Sequence, residues 1–317
     1  MHWIASVDST TMDQRWETDT FERATMTEEQ KNQPNDNTQG DLGRRDFVAL
    51  SVAAGVAATA SSASAAALDL VETDVEIKTP DGTCDAAFIR PKTGSYPGVI
   101  IWPDAFGLRP SMRDMAKRIA AEGYSVLVPN PFYRVSKAPQ YPDASGVNFT
   151  TERPKLGPLM GSVNAAGAAE KDAIAYVGFL DSQKEVNKSK KIGTQGYCMG
   201  GPLVVRTCAA VPDRMGAGGS FHGGGLVSNQ PTSPHLLAPK IKAQMYFGIA
   251  SNDDKSQPDA KDKLKEAFPA AGVEVYGSLH GWCVPDMPAG PAGPIYNKAD
   301  AEKAWGHLVA LYKAGLA

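Results

Sequence analysis

The pentapeptide Gly196-Tyr197-Cys198-Met199-Gly200 constrains the fold of this chain more than any other segment. A strand-like run, residues 191–195, precedes it, and an apolar helix-like run, residues 202–210, follows it. A Gly-x-nucleophile-x-Gly sequence between a buried strand and a helix is typical of a nucleophile elbow, here with cysteine where serine is more common. The turn leaves no room for side chains at Gly196 and Gly200, which flank the nucleophile two residues away on each side. The helix dipole favours a thiolate. The pattern therefore predicts a thiol nucleophile.

The order of residues downstream favours catalysis over two other uses of such a turn. Glycine-rich strand-to-helix turns also bind phosphates, and a lone cysteine is often a small buried hydrophobic residue. In the elbow architecture an acid and then a histidine follow the nucleophile along the chain. Asn252-Asp253-Asp254 follows the strand-like run 241–249, and His280 follows the strand-like run 273–277. An acid and a base thus come after strand ends in the expected order.

Strand-like and helix-like runs alternate from Leu70 to Ala317. This alternation predicts an α/β-hydrolase fold, with a mostly parallel central sheet and helices on both faces. The proline- and polar-rich stretch 130–159 is predicted to be a long loop bordering the site. Strands are predicted over 71–77, 84–89, 97–102, 125–128, 191–195, 215–221, 241–249 and 273–277, and helices over 109–122, 165–180, 202–210, 259–268 and 300–314.

Residues 1–67 are predicted to precede the folded domain, which would span 68–317. The stretch from Met1 to about Asp41 is polar and lacks periodicity, which is typical of disorder. Arg44-Arg45 precedes a mildly apolar segment that ends near Ala63-Ser64-Ala65, and this arrangement predicts a twin-arginine export signal. Met26 is an alternative start. The mature protein would be periplasmic or secreted after contact with the Tat export machinery; an alanine-rich helix without that function would leave it cytoplasmic.

Composition excludes several classes of partner. With 32 Lys and Arg against 35 Asp and Glu, the net charge is −3, so no basic face predicts nucleic-acid binding. No apolar run is long and pure enough for a membrane span in the mature form. The four cysteines are scattered without a Cys-x-x-Cys spacing, which predicts no zinc site. A small molecule is the expected partner.

Four segments together resemble the dienelactone hydrolase family: Gly196-Tyr197-Cys198-Met199-Gly200-Gly201, Asp104-Ala105-Phe106-Gly107, Asn252-Asp253-Asp254 and His280-Gly281-Trp282. The resemblance covers nearly everything after Leu70. It implies a Cys-Asp-His triad acting on lactones or small esters, with no metal or organic cofactor.

The resemblance implies a role for each residue of this triad. Cys198 would be the nucleophile, and His280 would be the base that later activates water against a thioester. Asp254 would orient the imidazole, because the family's acid usually lies four residues before a proline and Pro258 fits that spacing. The adjacent Asp253 stays open as the alternative acid.

Three further positions take roles from the same resemblance. The backbone N–H groups of Met199 and Ala105 would form the oxyanion hole. Asp104 stands where a characterised member of the family has a glutamate that helps to control the proton of the thiol. Asp is one methylene shorter, so the same contact would need a shifted backbone or a water molecule.

The resemblance indicates the reaction more directly than it indicates the substrate. That member also has an arginine, four residues after its histidine, that holds a substrate carboxylate; here the position is Val284, leaving Arg134 or Arg153 as candidate cations. His222 precedes three glycines but follows the nucleophile, and is interpreted as part of a strand-end loop near the pocket.

The predicted function is hydrolysis of a lactone or small carboxylic ester through a thioester. The alternatives are a general esterase or thioesterase of the same fold and a non-catalytic exported binding protein.

Overall fold

The computed structural model describes residues 68–317, and within them eight strands form one sheet. Along the chain the strands are β1 (Leu70–Thr79), β2 (Gly82–Pro91), β3 (Gly98–Trp102), β4 (Ser125–Pro129), β5 (Ile192–Tyr197), β6 (Met215–Phe221), β7 (Gln244–Ile249) and β8 (Gly272–Val275). Their spatial order is β1-β2-β4-β3-β5-β6-β7-β8. β1 and β2 form an antiparallel hairpin, β2 pairs antiparallel with β4, and all remaining pairs are parallel.

Helices cover both faces of this sheet. The helices are α1 (Pro110–Ala121), α2 (Phe149–Asn164), α3 (Ala168–Ser182), α4 (Gly200–Ala210), α5 (Ser251–Ser256), α6 (Ala260–Ala267) and α7 (Lys298–Gly315), with a 3-10 helix over Pro234–Lys240. Buried residues of α3 and α4 pack in one hydrophobic cluster, and those of α1 and α7 pack in another. The central strands are buried on both faces, as their continuous apolar runs predict. The predicted α/β-hydrolase layout is confirmed.

The predicted loop over 130–159 is wrong in its second half, where α2 begins. Asn148 caps this helix, because its side chain accepts hydrogen bonds from the N–H groups of Thr150 and Thr151. The helix contains Pro154 and Pro158, which remove two backbone donors, and it carries only a weak amphipathic pattern. It is held by tertiary packing, since three of its side chains are buried: Leu156, Leu159 and Val163.

Parallel strand pairing determines where the candidate site residues lie. β3, β5, β6, β7 and β8 run in the same direction, so their carboxyl ends meet at one edge of the sheet. Open α/β sheets bind ligands in the crevice outside these ends. The segments containing Ala105, Cys198, His222, Asp253 and His280 each follow one of these five strands.

Two features named in the sequence analysis remain, the N-terminal segment and the four cysteines. The predicted disordered stretch and twin-arginine signal, residues 1–67, lie outside the described residues. All four cysteines lie within 68–317, and each is a free thiol in this structure. No helix between residues 68 and 317 is both long enough and apolar enough to cross a membrane.

Candidate active site

Cys198 lies at a sharp turn between β5 and α4. Its backbone φ is 51°, a left-handed conformation that is uncommon for a non-glycine residue and costs about 1–3 kcal/mol. The flanking glycines make the turn possible. A Cβ atom on Gly196 would lie 2.2 Å from the carbonyl oxygen of Gly200, and one on Gly201 would lie 2.5 Å from Cα of Gly223. The turn therefore has the tight, strained geometry of a nucleophile elbow.

His280 is held by the segment that follows β7. Its backbone N–H donates to Oδ1 of Asn252 at 2.8 Å, and its Nδ1 lies 2.7 Å from Oδ2 of Asp253. The N–H of Ser251 donates to the carbonyl oxygen of Ser278 at 2.9 Å, which ties the two segments together. A carboxylate at Nδ1 keeps the proton there and leaves Nε2 free to accept one. This is the arrangement that a general base requires.

The structure places Asp253, and not Asp254, against the imidazole. Oδ1 of Asp254 lies 2.7 Å from Nζ of Lys261, with which it forms an ion pair. Both aspartates belong to the short helix α5, where successive side chains point about 100° apart, so only one can face His280. The prediction that Asp254 is the partner of the histidine is therefore wrong in geometry, and the alternative, Asp253, makes the contact.

The pKa of His280 lies well above its ordinary value. Burial lowers it, but the charge of Cys198 and hydrogen bonds to Asp253 and Cys198 raise it by more. Both neighbours favour the imidazolium form, since each presents negative charge when ionised. The histidine can thus hold a proton taken from the thiol.

Two backbone amides that follow the ends of β3 and β5, those of Ala105 and Met199, have no partner among residues 68–317. Gly200 lacks a Cβ atom, which would lie 2.3 Å from the carbonyl oxygen of Trp102, so the start of α4 packs directly on the end of β3. This close packing brings the N–H of Met199 near the segment that contains Ala105. Neither N–H donates to a protein acceptor among residues 68–317. Free, oriented N–H groups of this kind can stabilise an oxyanion.

The carboxylate of Asp104, predicted to control the proton of the thiol, is bound by Arg109 and makes no hydrogen bond to Cys198 among the described residues. This carboxylate is buried and forms two hydrogen bonds with the guanidinium of Arg109, at 2.8 and 2.9 Å. Its Oδ1 also accepts the backbone N–H of Phe106 at 2.9 Å. Arg109 in turn binds both oxygens of Asp286, at 2.7 and 2.8 Å. Asp104 therefore stabilises the loop that carries Ala105. The cation with which its side chain pairs, Arg109, lies five residues further along the chain.

The two candidate cations for a substrate carboxylate have different surroundings. Arg134 forms ion pairs with Asp81 and with the fully buried Asp172, at 2.8 and 2.7 Å. Arg153 is an exposed residue of α2, one turn after Phe149. Val284, the position where the resemblance suggests arginine, is fully buried.

His222, interpreted from the sequence as part of a strand-end loop near the pocket, is a close neighbour of Cys198 and His280. It is fully buried, has a left-handed φ of 40°, and its Nδ1 accepts the backbone N–H of Cys198 at 3.1 Å. Its ring contacts those of His280 and Trp282, with centroids 4.9 and 5.0 Å apart. Its pKa is well below the ordinary value, because of burial and the nearby charge of His280. The sequence did not indicate its hydrogen bond to Cys198, which follows from its place at the end of β6, beside β5.

A separate cavity lies on the face of the sheet that α1 and α7 cover. It has a volume of about 570 Å³ and is bounded by residues of α1 and α7, including Met115 and Trp305. Neither Cys198 nor His280 lines it. The crevice at the strand ends is the candidate active site, because Cys198 and His280 lie together there.

Comparison with known proteins agrees with this architecture. The model of the dienelactone hydrolase family matches residues 84–316. A protein of Synechocystis named "Putative carboxymethylenebutenolidase" is 26% identical over 234 residues, covering 70% of this chain and 88% of the relative. "Protein usf" of Aquifex pyrophilus is 26% identical over 228 residues, covering 70% and 90%.

Solved structures share the fold. A crystal structure named "Putative Dienelactone Hydrolase" from Klebsiella pneumoniae has a TM-score of 0.64 at 20% identity, covering 77% of this chain and 99% of that one. A dienelactone hydrolase-like promiscuous phosphotriesterase from metagenomic libraries has a TM-score of 0.61 at 21% identity, covering 78% and 99%. The fold, the elbow and the family match together define an α/β hydrolase. The chain belongs to the dienelactone hydrolase family.

Proposed function

We propose that this chain hydrolyses a lactone or small carboxylic ester through Cys198, His280 and Asp253. The observation that carries the proposal is the position of His280, which contacts Asp253 through Nδ1 and has its pKa raised by Cys198. Membership of the hydrolase family supports the reaction class. Asp253 takes the role first expected of Asp254, which is paired with Lys261.

The proposed reaction begins with transfer of the thiol proton to His280. Sγ of Cys198 attacks the carbonyl carbon, and a C–S bond forms while the carbonyl oxygen becomes an oxyanion. The N–H groups of Ala105 and Met199 donate to that oxygen. The C–O bond then breaks, His280 gives its proton to the departing oxygen, and a thioester remains. In a lactone the departing oxygen stays attached to the acyl group.

Hydrolysis of the thioester completes the cycle. His280 removes a proton from water, and the resulting hydroxide attacks the thioester carbon. The C–S bond breaks, the carboxylic acid leaves, and the thiolate–imidazolium pair is restored. Asp253 stabilises the imidazolium in both halves of the reaction and remains ionised.

The test compares wild type with Cys198→Ala on p-nitrophenyl esters, a thioester and a dienelactone. Cys198→Ala should abolish turnover, and rapidly quenched wild type should show the mass of the acyl group on the protein. Cys208→Ala is the matched control, because it removes a buried thiol from α4 away from the turn. Equal activity in wild type and Cys198→Ala would contradict the nucleophile assignment. Silence of the wild type on every substrate would favour the alternative of a binding protein.

We also propose that the chain is exported through the Tat machinery to the periplasm or beyond. The proposal rests on Arg44-Arg45 and the small-residue segment after them. Replacement of both arginines by lysine keeps the charge and removes the recognised pair. The variant should accumulate in the cytoplasm on cell fractionation, and unchanged distribution would contradict export by this route.

A further inference from the structure

The guanidinium of Arg109 has no donor left for a substrate. All five of its N–H groups donate hydrogen bonds. Nε and one N–H of Nη2 donate to Asp286, and one N–H each of Nη1 and Nη2 donate to Asp104. The second N–H of Nη1 donates to the carbonyl oxygen of Gly107. An arginine side chain has five N–H donors in total. Its side chain is also 0% exposed. Arg109 therefore cannot bind a carboxylate that enters the crevice.

The charge around Arg109 repels anions. One guanidinium lies between two carboxylates, so the cluster of Asp104, Arg109 and Asp286 has an excess of one negative charge when both acids are ionised. Burial raises the pKa of Asp286, but the hydrogen bond and charge of Arg109 lower it by more, which keeps this acid ionised at neutral pH. This charge lies beside the loop that carries Ala105, and Asp286 also lines the separate cavity between α1 and α7.

Of the other cations near the strand ends, two are engaged in ion pairs, and Lys255 of α5 and Arg153 of α2 are exposed to solvent. Lys261 is paired with Asp254 at 2.7 Å, and Arg134 is held by Asp81 and Asp172. Arg153 is exposed on α2, where water and mobile ions screen its charge.

Apolar side chains flank the same crevice. The buried ring of Phe106, next to Ala105, packs edge-on against Tyr141 and Phe149, with centroids 5.4 and 6.3 Å apart. Phe149 is 46% exposed, and Leu279, directly before His280, is 43% exposed. Exposed apolar side chains next to a reactive centre provide a surface for an apolar ligand.

We propose that the acyl group of the substrate is uncharged and apolar, and that the site discriminates against a carboxylate on it. This inference rests on the proposed function, since it concerns the ester bound at Cys198. Arg109 serves as an internal cation for Asp104 and Asp286, and is not available to the substrate. An aryl or branched alkyl acyl group would lie against Phe149 or Leu279.

A matched pair of esters tests the proposal: 4-nitrophenyl 4-isopropylbenzoate and the mono-4-nitrophenyl ester of terephthalic acid. The isopropyl and carboxylate groups have similar shapes, and the rigid ring prevents the carboxylate from attacking its own ester. After correction for the hydroxide-catalysed rates, kcat/KM should favour the isopropyl ester by about tenfold or more at low salt. Equal rates, or preference for the carboxylate, would overturn the proposal. If wild type prefers the carboxylate ester and Arg153→Gln does not, Arg153 is the cation that binds the substrate carboxylate.

Two charge variants make the comparison sharper. Asp286→Asn removes one negative charge from the cluster, so the ratio of kcat/KM for the isopropyl ester to kcat/KM for the carboxylate ester should decrease. Asp213→Asn removes the same charge just before β6, at the opposite edge of the sheet, and should leave the preference unchanged. An equal change in both variants, or in neither, would show that the cluster does not set the discrimination.

A binding measurement separates this inference from the proposed chemistry. Calorimetric titration of Cys198→Ala with 4-isopropylbenzamide and with 4-carbamoylbenzoate compares the same two groups without turnover. The uncharged amide should bind about tenfold more tightly or better. If neither ester is cleaved and the amide is still preferred, the proposed function fails and the selectivity stands. If the carboxylate binds equally well, the selectivity fails.

Discussion

The backbone N–H of Cys198 donates a hydrogen bond to Nδ1 of His222 at 3.1 Å. An imidazole buried at the end of β6 thus holds the amide of the residue at the strained turn. Because Nδ1 accepts this bond, the neutral ring carries its proton on Nε2, and that atom is buried without a partner among residues 68–317. The contact connects Cys198 with the ring that packs against His280.

Replacement of His222 should separate the hydrogen bond from the rest of the side chain. His222→Ala removes one of the two acceptors of the Cys198 N–H, the other being the carbonyl oxygen of Phe221 at 3.2 Å, and should lower the free energy of unfolding by about 0.5–1.5 kcal/mol. His222→Asn keeps an acceptor near the position of Nδ1, and asparagine tolerates a left-handed φ, so it should recover most of the loss. Chemical denaturation measures both. Equal destabilisation by the two variants would contradict a role for the hydrogen bond.

The same histidine makes a prediction for acid stability. Its pKa in the folded protein is well below 6.5, so the unfolded chain binds more protons once the pH falls below about 6.5. Wild type therefore loses stability on acidification through His222, and His222→Asn lacks this loss. The deficit of the variant in unfolding free energy should shrink as the pH falls from 7 to 5. A deficit that stays constant over this range would contradict a buried neutral imidazole.

Asp253→Asn and Asp254→Asn form a matched pair in which one carboxylate is removed from neighbouring positions. Asp253→Asn should lower kcat by about two to four powers of ten, since it removes the carboxylate at Nδ1 of His280. Asp254→Asn removes only an ion pair with Lys261, and kcat should stay within about threefold. Initial rates on one activated ester measure both. A larger loss in Asp254→Asn would reverse the assignment of the acid.

The pKa of His280 should respond to both of its neighbours. It is raised well above 6.5 in the folded protein, so His280 contributes stability that is present below pH 6.5 and is lost as the pH rises through the folded value. Cys198→Ala and Asp253→Asn each remove a cause of the shift and should lower this pKa. NMR titration of labelled histidine measures it. An unchanged pKa in both variants would contradict the contacts that surround the ring.

Two glycine substitutions test the packing that aligns the amides of Met199 and Ala105. In Gly200→Ala the new Cβ would lie 2.3 Å from a backbone oxygen, so α4 must shift, and the free energy of unfolding should fall by about 1–3 kcal/mol. Gly178 lies in α3 with open space around its Cβ position, and Gly178→Ala should stabilise the protein by about 0.5–1 kcal/mol. Thermal unfolding with activity measurements compares them. Equal effects would contradict close packing of α4 on β3.

The elbow was predictable because its signal is local. A nucleophile between glycines needs only five residues, and the order of the acid and the histidine follows from strands that alternate with helices. The choice between Asp253 and Asp254 was not predictable in the same way. It depends on where α5 begins, since one residue of helical phase turns a side chain by about 100°.

The role of Asp104 and the existence of α2 depend on contacts that composition does not reveal. The partner of Asp104 is Arg109, which reaches it through a left-handed turn at Gly107, and the third member of the cluster, Asp286, is 177 residues further along the chain. α2 contains two prolines, which predict a loop, and it forms because buried side chains outweigh its weak propensity.

The position of Arg109 between two carboxylates has a consequence for how this region opens. Asp104 accepts the amide of Phe106, and Asp286 accepts the amide of Ala144, so one cation joins three segments of the chain. Separation of Asp286 from Arg109 would leave that partly buried carboxylate without its counter-charge. Local fluctuations that expose these amides should therefore be concerted, and Phe106 and Ala144 should exchange their amide hydrogens at similar rates, as parts of one cooperative unit.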